Sequence, residues 1–207
     1  MLRVLGKPGS INVRKVLWTC IELGLPFELD PWGAGLRATD DPAFLALNPN
    51  AMVPVIRDGD FVLWESNTIC RYLAAKHGRG DLLPADAAAR ARVEQWMDWQ
   101  ATELNNAWRY AFMALVRKSP AHGDAAALAD GVAGWNRMMA ILDARLLDTG
   151  AYVAGDRFTL ADIAIGLSVN RWQMTPIERP HYAAVDGYMS RLSAQPGFAP
   201  HCRNGMP

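Results

Sequence analysis

The sequence predicts a chain of two units, an α/β unit followed by an all-helical unit. Three observations carry this. Strand-like and helix-like apolar runs alternate only before residue 78. A stretch rich in glycine, proline and charge, GRGDLLPAD, spans 78–86. Beyond it every periodic segment has helical spacing.

The elements follow in order. LRVL at 2–5 is short, apolar and strand-like, and Gly6-Lys7-Pro8-Gly9-Ser10 is a turn. From Ile11 a helical pattern begins, with Val13, Val16, Leu17 and Cys20 on one face and Arg14 and Lys15 opposite. Gly24 and Pro26 are stop signals, and FELD at 27–30 is a second strand, which completes a βαβ unit. A loop runs from Pro31 to about Pro42, then a short helical stretch, AFLALN. Asp58-Gly59 lies between the apolar runs PVIR and FVLW and predicts a tight hairpin. A helix then runs from Ser66 to His77, stopped by Gly78.

In the helical unit a first helix is expected over 86–117 and another over 124–148. Leu128, Val132, Trp135, Met139, Leu142 and Leu146 mark the apolar face of the latter. A third begins at Thr159, where Thr159-Leu160-Ala161-Asp162 has the spacing of a capping box. A fourth spans 182–194. The expected division is a first domain over 1–78, a linker over 79–88 and an all-helical domain over 89–207.

Bulk properties narrow the function. A chain of 207 residues suits two small domains. Its 21 basic and 21 acidic side chains cancel, so no basic excess points to nucleic acid or an anionic membrane. No apolar run approaches the ~20 residues of a spanning helix, and no signal peptide is expected at the start. Cys20, Cys70 and Cys202 form no CxxC pair, which fits reduced thiols in a cytoplasmic protein. The four histidines are scattered, so no metal is expected.

The order β-α-β, loop, hairpin, helix, then a helical unit of similar size resembles the cytosolic glutathione transferase family over the whole chain. The sharpest matches are Val53-Pro54, the Asp58-Gly59-Asp60 run leading to Glu65-Ser66, and Thr159 to Asp162 after Ala154-Gly155-Asp156. The stretch NPNAMVPVIRDGDFVLWESNTICRYLA is similar to bacterial members, and PGSINVRKVLW to the serine-type branch, theta-like and beta-like classes included. The resemblance implies a thioredoxin-like first domain that binds glutathione as co-substrate, a helical bundle behind it, and a homodimer.

It also implies site residues. Glu65 and Ser66 are placed at the γ-glutamyl end, where a helix start offers free N–H groups and the positive end of its dipole. Pro54 is expected cis, so that the backbone of Val53 faces the cysteinyl part like an added strand. Ser10 occupies the position from which the serine-type branch polarises the thiol, and Asn12, also a donor, lies two residues on. Lowering a thiol pKa by about two units takes about 2.7 kcal/mol. Arg37, with Lys7 behind it, is the choice for the glycyl carboxylate, and Trp32 covers the ligand or packs.

Trp108, Arg109, Tyr110 and Met113 are expected to wall the pocket for a small hydrophobic electrophile, or else to be core. Trp96 and Trp99 read as domain or dimer packing, and Asp162 as a structural cap. The expected reaction is attack of the glutathione thiolate on an electrophilic carbon. A glutathione-dependent disulfide or peroxide reductase and a non-catalytic relative are the alternatives. The first helix turn holds no cysteine, so a dithiol mechanism through the protein's own sulfurs is not expected, and Cys20 reads as core.

Overall fold

In the computed structural model, which describes all 207 residues, four short strands form one mixed sheet in the order β2-β1-β3-β4. β1 (Leu2–Leu5) pairs parallel to β2 (Phe27–Asp30), while β3 (Val55–Asp58) runs antiparallel to β1 and to β4 (Phe61–Trp64). Alternation along the strands sorts the side chains between two faces. Val4 and Ile56 join the core beneath α1 (Ile11–Leu23) and α3 (Ser66–Lys76). Leu5 and Val55 face the other way and pack with Trp32 and with Phe44 of α2 (Pro42–Leu45).

Two local devices set this geometry. Gly24 adopts φ +64 and ends α1, with the Leu25 N–H returning to the Cys20 carbonyl at 2.9 Å. The hairpin pairs Asp58 with Phe61, so its two-residue loop is Gly59-Asp60, one position later than Asp58-Gly59. Gly59 supplies the positive φ, at +63.

The helical unit comprises α4 (Ala87–Trp99), α5 (Asn105–Leu115), α6 (Ala125–Thr149), α7 (Leu160–Met174) and α8 (Ala183–Leu192). The helix expected over 86–117 is thus divided: a π-helical turn at Gln100–Leu104 joins α4 to α5. It turns Gln100 and Leu104 into the interior. Almost every residue of α7 is buried, because α1, α4 and α8 surround it. The Asp162 carboxylate closes its start, accepting from the Thr159 N–H at 2.8 Å and hydroxyl at 3.0 Å, the Val153 N–H at 3.0 Å and the Tyr188 hydroxyl at 3.0 Å. Burial outweighs these bonds and raises the Asp162 pKa to about 6.

One expectation about α1 is overturned. Arg14 and Lys15, read as the solvent side, are both buried. The helix is covered on that side too. Arg14 donates to the main-chain carbonyls of Met206 at 2.9 Å and Pro207 at 2.7 Å. The segment around a second π-helical turn, Phe198–Cys202, packs against α1 and carries no periodic signal in the sequence.

Candidate functional site

The β3 edge, the start of α3 and the start of α1 meet at two adjoining clefts. One, of about 110 Å³, is lined by Asn12, Asn48, Asn50, Met52, Val53, Pro54, Glu65 and Ser66. The other, of about 230 Å³, again includes Asn12, Glu65 and Ser66 and continues past Lys15, Asn67, Thr68 and Arg71 to Asp98, Gln100 and Asn105. Three residues named from the sequence therefore stand where the two clefts join.

The local backbone explains why this junction is polar and open. Val53-Pro54 is a cis peptide, and the ladder pairs of β3 begin only at Val55. The backbone of Val53 thus lies beyond the last sheet pair. Buried Asn48 shapes the approach, donating to the Met52 carbonyl at 2.8 Å and accepting the Asn50 N–H at 3.0 Å. Glu65 holds φ +75, an uncommon value outside glycine that costs about 1–3 kcal/mol and is concentrated at functional sites. Its side chain makes no capping bond to α3. The first intrahelical acceptor is the Glu65 carbonyl, which takes the Ile69 N–H at 2.8 Å. The N–H groups of Ser66, Asn67 and Thr68 precede that bond and point out of the helix start. An anion set there meets three donors and the positive end of the dipole.

At the start of α1, Ser10 is the N-cap residue, and its side chain makes no capping bond. It lines neither cleft, whereas Asn12 lines both. The protein's own thiols stand apart: Cys20, Cys70 and Cys202 are buried, and burial raises their pKa values to about 12, 11 and 12.

Other predicted residues lie elsewhere. Arg37 pairs with Asp30, donates to the Pro31 carbonyl at 3.3 Å and stacks 4.1 Å over the Trp32 ring. Neither it nor Lys7 lines the two clefts. Trp32 packs on Phe44 with ring centroids 5.1 Å apart, so it is core. Trp108 is core as well, between Phe112 and Trp135 with Arg171 stacked 4.5 Å above it. The Tyr110 hydroxyl accepts the Asp124 N–H at 3.0 Å and so fastens the turn into α6. Arg109 is exposed and Met113 half-buried. Helical spacing alone does not separate a pocket wall from a packed face, and here packing claims Trp108 and Tyr110. Trp96 and Trp99 meet edge-on at 5.2 Å.

Lys15, Asn67, Gln100 and Asn48 join the site without having been expected there. Lys15 follows Asn12 by three on one helix face, a spacing that groups them. Gln100 carries no such signal, because the π-helical turn sets its direction. No three His, Cys, Asp or Glu side chains cluster as metal ligands would. No helix is long and apolar enough to cross a membrane.

Comparisons with known proteins agree along both units of the chain. Residues 9–76 match the glutathione S-transferase N-terminal domain, and residues 105–196 match the glutathione S-transferase C-terminal domain. Glutathione S-transferase GstB of Escherichia coli strain K12 is 40% identical over 198 residues, covering 87% of this chain and 95% of that protein. Glutathione S-transferase 3 of Zea mays is 36% identical, covering 95% and 91%. The crystal structure of the theta class glutathione S-transferase from Xanthomonas axonopodis pv. citri with glutathione bound superposes with a TM-score of 0.90. It shares 36% identity and covers 97% of this chain and 96% of that one. A thioredoxin-like domain with a mixed four-stranded sheet, followed by helices, is therefore the architecture here, and the chain belongs to the glutathione S-transferase family.

Proposed function

We propose that this glutathione transferase binds glutathione across the junction of the two clefts and presents its sulfur, as thiolate, to a small electrophile. The observation that carries the reading is the convergence of Asn12, Glu65 and Ser66 where both clefts meet beside the unpaired Val53 backbone.

The γ-glutamyl end, the cysteinyl amide and the sulfur each then have a partner. Its γ-glutamyl carboxylate takes the Ser66 hydroxyl and the free N–H groups that open α3. Its ammonium faces the Glu65 carboxylate. Its cysteinyl amide pairs with the Val53 backbone as an added strand would. The sulfur reaches the α1 start, where the uncommitted Ser10 hydroxyl donates to the thiolate and Asn12 fixes the peptide. Donor and helix dipole together favour the charged form, which raises the thiolate fraction at neutral pH. Sulfur forms the new bond to carbon as the leaving group departs, or as a conjugated acceptor takes up the electron pair. No covalent intermediate with the protein is needed.

Arg37 takes no role in this reading, because Asp30 and the Trp32 ring already hold it. The division into 1–78, 79–88 and 89–207, a homodimer and a cytoplasmic location belong to the same proposal.

The test is retention on immobilised glutathione together with conjugation of a chloronitrobenzene-type electrophile, run in parallel with reduction of a small disulfide. Retention and conjugation are the expected results. Folded protein that is not retained, or that only reduces the disulfide, would overturn the reading.

A further inference from the structure

The larger cleft has a charged wall that glutathione binding through Glu65, Ser66 and Val53 leaves unused. Lys15 lines it, yet the residue is only 3% exposed. Its ammonium donates to two neutral amide oxygens, Gln100 Oε1 at 2.6 Å and Asn67 Oδ1 at 3.2 Å. An ammonium has three N–H donors, so one is left over. No carboxylate forms an ion pair with it: of the two acids that line the cleft, Asp98 is engaged by Arg71, and Glu65 acts on Lys15 only through space. A buried cation without a counter-ion is costly. Here burial lowers the Lys15 pKa to about 8.

We propose that Lys15 is a positioning residue for the carboxylate end of glutathione: its buried ammonium, held by amide oxygens and in no ion pair, supplies positive charge behind the Glu65–Ser66 helix start. The inference rests on the glutathione reading of this junction. Asn67 and Gln100 hold the charge in place without neutralising it, and they come from the two units of the chain. Asn67 sits in the first turn of α3, and its amide also donates to the Met97 carbonyl at 2.8 Å. Gln100 opens the π-helical turn after α4. That turn is the local device that aims Gln100 at Lys15, which gives the irregularity a reason. The bound carboxylate becomes the counter-ion the fold omits.

The charge is also titratable. The groups facing Lys15 are Cys70, Glu65 and Arg71 from α3 and its flank and Arg171 from α7. Glu65 and Cys70 favour its protonated form, whereas the two arginines oppose it. Ligand affinity that depends on the Lys15 charge is greatest below about pH 8 and is lost as pH rises through and above that value.

The experiment is calorimetric titration with S-methylglutathione, which has no thiol to titrate, on wild type, Lys15→Met and Gln100→Glu. The second variant keeps the hydrogen bond and the shape but sets a carboxylate on the ammonium. Near pH 7 each variant is expected to raise Kd about tenfold. The gap between wild type and Lys15→Met should narrow as pH rises toward about 10. A merely structural bridge would be strengthened by Gln100→Glu, with binding unchanged. Unchanged Kd in Gln100→Glu overturns the proposal, and this variant decides even if Lys15→Met does not fold. Wild type that fails to bind S-methylglutathione at all instead overturns the glutathione reading itself.

Discussion

The starts of α3 and α7 both carry a hydroxyl residue and an acid, yet only one closes on itself. At α7 the acid stands three residues after Thr159, so the Asp162 carboxylate reaches back and takes the Thr159 N–H and hydroxyl. It also ties in Val153 and Tyr188 and leaves nothing for a ligand. At α3 the acid immediately precedes Ser66, and Glu65 at φ +75 makes no capping bond. Its helix start keeps its N–H groups and opens onto two clefts. The difference teaches that the spacing of acid and hydroxyl decides between a cap and a binding site, although the residue types are nearly the same.

The contrast can be broken from either side. The largest effect belongs to the closed start. Asp162→Ala leaves three buried donors, the Val153 and Thr159 N–H groups and the Thr159 hydroxyl, without an acceptor and should lower unfolding free energy by at least about 3 kcal/mol in urea titrations. Affinity for glutathione in the fraction that remains folded should be unchanged. The open start should show the reverse. Ser66→Ala is expected to raise the glutathione Kd about tenfold. Its melting temperature should stay within about 2 °C of wild type.

Ser10→Ala sharpens the division of labour at the sulfur. With one donor gone, the thiolate limb of the pH–rate profile should move upward by about one unit, so turnover at neutral pH falls. Glutathione Kd should change little. If the limb stays in place and shifts only in Asn12→Ala, the polarising donor is Asn12. The smallest effect is expected from Arg37→Ala, less than about threefold on glutathione Kd, because its half-exposed guanidinium is engaged by Asp30.

How much of this is legible in the sequence depends on the range of the interaction. The four strands, most of the helices, the Gly24 stop and the Thr159–Asp162 box follow from spacing within a few residues, whereas the helix expected over 86–117 is divided and the hairpin loop falls one position later. Family motifs bring Glu65, Ser66, Val53 and Asn12 to attention, and these residues do meet at one junction. What fails is long-range. Arg14 and Lys15 read as a solvated face because nothing local announces that the C-terminal segment and α7 cover α1. For Trp108 and Tyr110 the sequence leaves pocket wall and core both open, because a packed aromatic and a lining one have the same spacing. Gln100 is invisible because its direction depends on one extra residue wound into a turn.

The central claim is that the start of α3, not any other helix start, receives the tripeptide. Amide chemical-shift mapping during titration with glutathione tests it most directly. The largest movements are predicted at Val53, Ser66, Asn67 and Thr68, with Val153 and Thr159 to Asp162 unmoved. Shifts confined to the α7 start or to the surface around Arg37, with α3 silent, would contradict it.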